Sequence, residues 1–138
     1  MGRIFQCILL TLLGILLIAC TPKDPLDVNL KDHNNLALHI HPILEIEILG
    51  EKQAIPADFG HSDKLMRVIH THDSSGKLHV ESPTPHQFYL EDFFAVWGRT
   101  FNESCIFEYC ADEEHELIVT VNGQKDDRYG AIPLKDGE

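Results

Sequence analysis

Residues 70–81 read HTHDSSGKLHVE, and no other stretch restricts the fold as much. His70 and His72 lie two apart, as do His79 and Glu81, and the turn-forming residues Asp73, Ser74, Ser75 and Gly76 lie between the two arms. Alternating arms around such residues predict an antiparallel hairpin. A turn closing on Asp73 and Gly76 pairs His72 with Lys77 and His70 with His79. Side chains alternate across a strand, so His70, His72, His79 and Glu81 are expected on one face. Opposite positions hold their Cβ atoms about 4.5–5.5 Å apart. Imidazoles at that separation can share one metal ion, with bonds of about 2.0–2.1 Å for zinc. A one-residue slip would pair His70 with Leu78 and scatter the cluster.

The flanking segments supply a sheet and its cover. Residues 36–49 alternate with period two, with Leu36, Leu38, Ile40, Leu44, Ile46 and Ile48 on one side and His39, His41, Ile43, Glu45 and Glu47 on the other. This predicts one long strand whose first set is core. Gly50 and Glu51 then turn the chain, with a short return strand over residues 52–55. Residues 89–97 (YLEDFFAVW) place Leu90, Phe93, Phe94 and Trp97 at i, i+3, i+4 and i+7, the spacing of an amphipathic helix, with Gly98 as its cap. Residues 117–121 predict a strand ending in the Asn122-Gly123 hairpin turn. The expected fold class is α+β, a small, mostly antiparallel β-sheet domain with one short aromatic helix over its open face.

The chain start has a different character. Arg3 precedes an apolar run over residues 8–18, which predicts a secretory signal rather than a membrane span. The run ends in Leu17-Ile18-Ala19-Cys20, which resembles a bacterial lipobox. The resemblance implies a lipoprotein signal peptide at 1–19, cleavage before Cys20 and lipidation of Cys20. Residues 20–35 hold Pro22, Pro25 and many polar residues and read as a lipidated tether. The His-rich, β-dominated domain is then 36–138, a length that suits one modest core. Formal net charge is −11, and losing Arg3 with the signal makes the remainder one unit more acidic. Such a charge disfavours nucleic acid and basic docking on anionic lipid. The expected location is the cell envelope, with the domain lipid-anchored and facing the periplasm or the cell surface. Thr21 stands where such lipoproteins carry an inner-membrane aspartate, which points to the outer membrane in a two-membrane cell.

Of four cysteines, Cys7 leaves with the signal and Cys20 takes lipid. Cys105 and Cys110 remain as a pair, expected to form a disulfide in an oxidising compartment. The alternative is a pair of thiolate ligands for Cu(I).

The chain has nine histidines, and four form His-x-His pairs at 39/41 and 70/72. On a strand both imidazoles of a pair point the same way. If the 36–49 strand lies beside the hairpin, five histidines face one cavity, and His61 and His86 can close it from loops. His33 and His115 read as surface residues. The expected ligands are His70, His72 and His79, completed by His39, His41 or Glu81. Imidazoles with an optional carboxylate suit copper or zinc, and also iron or nickel.

HIHPILEIEILG, IHTHDSSGKLHVESP, YLEDFFAVWG and VTVNGQ together resemble a family of secreted or membrane-attached prokaryotic proteins, over roughly residues 37–123. HTHD-x-SG-x-x-H-x-E and FF-x-x-WG are the most specific parts. The resemblance marks His39, His41, His70, His72, Asp73, His79 and Glu81 as motif positions and supplies no reaction. Three functions are compatible with the sequence. The first is transition-metal binding in the envelope. The second is a metal-dependent enzyme with Glu81 or Asp73 as general base. The third is a metal-free interaction module with the polar strand face as a docking surface. Binding is favoured over catalysis, and the sequence does not identify a protein partner.

Overall fold

Strand β5 (His79–Ser82) lies in the middle of a three-stranded antiparallel sheet, between β1 (Leu38–Ile40) and β4 (Ile69–His70). The computed structural model describes residues 24–138. The expected signal peptide 1–19 and the lipidation cysteine Cys20 lie outside the described residues. In the sheet Ile40 and Ile69 both pair with Val80, while His39 pairs with Glu81 and His70 with His79. Alternation therefore separates an apolar row from a row of histidines and Glu81.

The apolar row joins a core built on Val68, Ile69, Leu78, Val80, Phe88, Leu90, Phe93, Phe94, Ile132 and Leu134. Helix α1 (Leu90–Trp97) forms where the apolar spacing predicts it and ends at Gly98. Asp92 accepts a 2.7 Å hydrogen bond from the Tyr89 backbone N–H and fixes the first turn. Its acid also suits the positive end of the helix. Phe93 packs edge-on against Phe59, and Phe94 stacks on Phe101 at 4.3 Å between centroids. Burying a phenylalanine side chain contributes about 1.5–3 kcal/mol, so this cluster is a main source of stability.

The expected long strand over 36–49 is broken. β1 stops at Ile40, Pro42 follows, and the chain resumes as β2 (Ile46–Ile48), which pairs with β3 (Glu51–Gln53) in a separate ladder. Proline has no N–H to give a ladder, and the Pro42 carbonyl instead accepts from Leu78. The two faces hold from Leu38 onward, since Ile46 and Ile48 are buried while His39 and Glu47 are exposed, but Leu36, expected in the core, precedes β1 and is exposed.

The central hairpin also differs from expectation beyond its first pair. His70 opposes His79, but Lys77 bridges to Ile43 rather than to His72. Residues 71–78 form a wide loop because Gly76 is drawn to a different neighbour. Leu44 N–H donates to the Gly76 carbonyl at 2.9 Å. Gly76 has φ +86°, and a Cβ built there would overlap the Leu44 carbonyl oxygen.

The folded unit begins before the expected boundary at Leu36. Leu30 is buried in the core, and the Asn29 side chain accepts from Met66 N–H and donates to the Lys64 carbonyl. Arg67 donates to the Leu26 carbonyl. Residues 26–30 of the expected tether therefore pack on the domain, because Leu26, Val28 and Leu30 supply apolar area that the small core takes up, while residues 31–35 are exposed.

Two short hairpins complete the fold. β6 (Cys105–Ile106) pairs with β7 (Tyr109–Cys110), and Cys105 and Cys110 are joined as the expected disulfide. With each sulfur bonded to the other, the thiolate-ligand alternative does not apply. β8 (Thr120–Val121) and β9 (Gln124–Lys125) pair around Asn122-Gly123, as the turn signal predicts, although the strand is shorter than 117–121. Among the described residues no helix is long and apolar enough to cross a membrane.

Replacing Gly76 with alanine adds a Cβ where the Leu44 carbonyl lies and a side chain at positive φ. The expected loss is ~2 kcal/mol of unfolding free energy, read from urea melts of the wild-type and Gly76→Ala proteins. An unchanged midpoint would show that the 71–78 loop does not depend on this contact.

Candidate metal centre

The polar row of the sheet gathers six histidines. β1 and the residue after it supply His39 and His41, β4 and the loop after it supply His70 and His72, and β5 supplies His79. The sixth, His61, comes from the loop before β4. Ring centroids are 4.6 Å apart for His39–His41 and for His41–His79, and 4.5 Å for His72–His79. His70 lies 4.9 Å from His72 and 5.4 Å from His79, and His61 lies 5.5 Å from His72.

Among the described residues three groups can hold a metal ion, each with one donor atom per residue and all its donor atoms within 4.8 Å of one another. They are His70/His72/His79, His39/His41/His79 and Asp58/His61/His72. Five of the histidines read as candidates from the sequence are thus brought together with Glu81, and His61 joins them as a loop residue. His86 is in none of the three groups and lies against Phe88. His33 is exposed, and His115 bonds to Asp112 at 2.9 Å. Asp73 caps its own turn by accepting from Ser75 N–H at 2.8 Å and is not part of any group.

His70 is the best-defined donor. It is completely buried. Its Nδ1 lies 2.9 Å from the Arg67 carbonyl oxygen, which can only accept, so Nδ1 carries the proton. The Nε2 lone pair then faces His72 Nε2 at 3.2 Å. A backbone carbonyl on one ring nitrogen is the usual way a metal-ligating histidine is oriented. The 3.2 Å spacing also matches two nitrogens on a tetrahedral zinc ion, which lie roughly 3.3 Å apart for bonds of this length. Burial lowers the His70 pKa to about 4, against the opposing pull of the Arg67 carbonyl and Glu81, and with help from His72 and His79. At neutral pH this imidazole is uncharged and ready to donate. Burial also lowers the His79 pKa, aided by His72 and His41.

Carboxylates border the row. Glu81 is buried, with Oε1 3.1 Å from His39 Nε2 and 3.8 Å from His79 Nδ1. Asp136 Oδ1 lies 3.6 Å from His41 Nδ1 and accepts from the His41 backbone N–H at 2.8 Å.

The loop holding Asp58 and His61 is tied down by backbone bonds. Thr71 N–H donates to the Phe59 carbonyl and Arg67 N–H to the Gly60 carbonyl. The Thr71 hydroxyl donates to the Pro56 carbonyl and accepts from Phe59 N–H. Gly60, at φ +68°, has no side chain where a Cβ would come 2.7 Å from the Ile69 carbonyl. This packing covers His70 and brings His61 beside His72. Neither Asp58 nor Asp136 was selected from the sequence. Both reach the row through tertiary packing, and the only local sign was Asp58 three residues before His61 in a Pro/Gly-bounded loop.

Comparisons of the chain with protein-family models, with curated proteins and with solved structures give no match.

The His70 environment has a pH consequence in metal-free protein. Unfolded, the imidazole titrates near 6.5; folded, near 4. Between these values the unfolded chain binds the extra proton, so stability is full above 6.5 and falls as pH drops towards 4. The His70 part of this loss amounts to at most about 3 kcal/mol. Urea melts in chelator across that range should show the decline, and His70→Gln should flatten it. His72, His79 and Glu81 also face this site, so the difference between the two proteins is the quantity to read. Equal pH slopes would mean that His70 is not held neutral by burial.

Proposed function

We propose that this protein is a cell-envelope lipoprotein that binds a transition metal, copper or zinc, with His70, His72 and His79 as the primary ligands. The supporting observation is the buried His70, which is neutral, anchored through Nδ1 and aims its Nε2 lone pair at His72 Nε2 only 3.2 Å away. His79 completes a three-nitrogen donor set, and His39, His41 or Glu81 extends it. Imidazole donors suit Zn(II), Cu(II) and Fe(II) and are poor hosts for Mg(II) or Ca(II). The envelope placement rests on the lipobox-like Cys20 and on the Cys105–Cys110 disulfide, which suits an oxidising compartment. The net charge of −11 favours cation capture. Binding or delivery is favoured over catalysis, since of the two candidate bases Asp73 is engaged in its turn and Glu81 lies against His39 and His79.

The test is metal content by mass spectrometry on full chain purified without a polyhistidine tag. Near-stoichiometric copper, zinc or iron is expected, and metal at 100 times Kd should add about 2.7 kcal/mol of stability. His72→Ala, at an exposed position that leaves the core intact, should weaken binding about 100-fold or more. Protein that arrives empty and shows no thermal shift with Zn(II), Cu(II), Fe(II) or Cu(I) would overturn the reading.

A further inference from the structure

The three donor groups overlap in an instructive way. The central group, His70/His72/His79, shares His79 with one neighbour and His72 with the other. The two outer groups, His39/His41/His79 and Asp58/His61/His72, share no residue. An ion in the centre therefore takes a ligand from each outer group, whereas the outer groups can be filled together.

Each outer group also has a fourth donor at hand. Beside the first, Glu81 Oε1 lies 3.1 Å from His39 Nε2 and 3.8 Å from His79 Nδ1. Beside the second, His70 Nε2 lies 3.2 Å from His72 Nε2. The row thus divides into two sets of the same composition, three imidazoles and one carboxylate. One is His39, His41, His79 and Glu81; the other is His61, His70, His72 and Asp58. Each carboxylate offsets part of the charge of its own ion, which limits repulsion between two dications.

Both sets are held by structure that does not depend on metal. The first is fixed by the β1–β5 register, which sets His39 opposite Glu81, and by Asp136, which holds the backbone of His41. The second is fixed by the loop bonds between Phe59, Gly60, Arg67 and Thr71.

We propose that the histidine row holds two divalent transition-metal ions at once, one in each three-histidine, one-carboxylate set. This rests on the metal-binding reading above and extends it from one ion to a pair. Imidazole-rich donor sets of this kind suit Zn(II) or Cu(II). At low loading a single ion uses the central group, and the second ion draws His72 and His79 apart into the outer sets.

Zn(II) titration of the full chain, followed by native mass spectrometry in excess Mg(II), counts the ions. Magnesium occupies exposed carboxylates but competes poorly for imidazole. Wild-type protein should saturate at two zinc ions. Asp58→Asn with His61→Ala should saturate at one, and so should His39→Ala with His41→Ala. Circular dichroism on the same samples checks that each variant is folded. All four substituted residues lie outside the apolar core. Saturation of the wild type at one ion would overturn the pair and leave the single-site reading standing. No zinc uptake at all would overturn both. Two ions retained by either double variant would overturn the assignment to these sets.

Discussion

The placement of β5 between β1 and β4 is the constraint on which the rest of the molecule depends. Val80 is pinned from both sides, between Ile40 and Ile69, while Glu81 lies opposite His39 and His79 opposite His70. Val80 is wholly buried, as are Ile69 and Leu78. Moving β5 by one residue would turn Val80 out of the core and put His79 and Glu81 into it. Losing one large buried aliphatic contact costs several kcal/mol, and burying a carboxylate among hydrocarbon costs more. The apolar side of the sheet therefore enforces the register that assembles the donors on the other side. Packing energy and site geometry are set by the same hydrogen-bonded ladder.

Local chemistry made part of this legible. Period-two alternation separated core from polar positions along residues 36–49, and i, i+3, i+4, i+7 spacing located the helix that supplies Phe93 and Phe94. The pair His70–His79 followed from Gly76 and Asp73 as turn residues. The same reasoning failed where a residue had a distant partner. It closed the hairpin tightly because it could not know that Leu44 would bond to Gly76. It continued a strand through Pro42 because the hydrophobic pattern on either side stayed in phase. It placed residues 24–35 outside the domain because polar and charged residues outnumber apolar ones there, yet Leu30, with Leu26 and Val28, anchors the first part of the segment. For the site, His39, His41, His70, His72, His79 and Glu81 were selected by strand parity. Asp58 and Asp136 sit in loops and meet His61, His72 and His41, none of which lies within a strand, and parity has no bearing on loops.

The metal-free row is also a satisfied polar network. Among the described residues no buried side-chain nitrogen or oxygen lacks a hydrogen-bond partner. His70 illustrates the balance. Its Nδ1 proton goes to Arg67, and its Nε2 accepts from His72, so the wholly buried ring leaves nothing unpaired. An unsatisfied buried group would cost about 1–3 kcal/mol, comparable to the whole contribution of one core phenylalanine.

That satisfaction also defines what an ion must displace. For His70 the change is small, because Nδ1 keeps its proton and Nε2 already presents a lone pair. His72 bears most of the rearrangement, since the Nε2 proton it gives to His70 must leave or move to Nδ1 before that nitrogen can coordinate. His72 is exposed while His70 is buried, so the proton has a direct path to water from the ring that must release it. The arrangement pairs a buried donor that is uncharged at neutral pH with an accessible neighbour whose tautomer can change. Were an ion to enter, buried His70 would offer a fixed lone pair and exposed His72 the ring whose proton can leave to water.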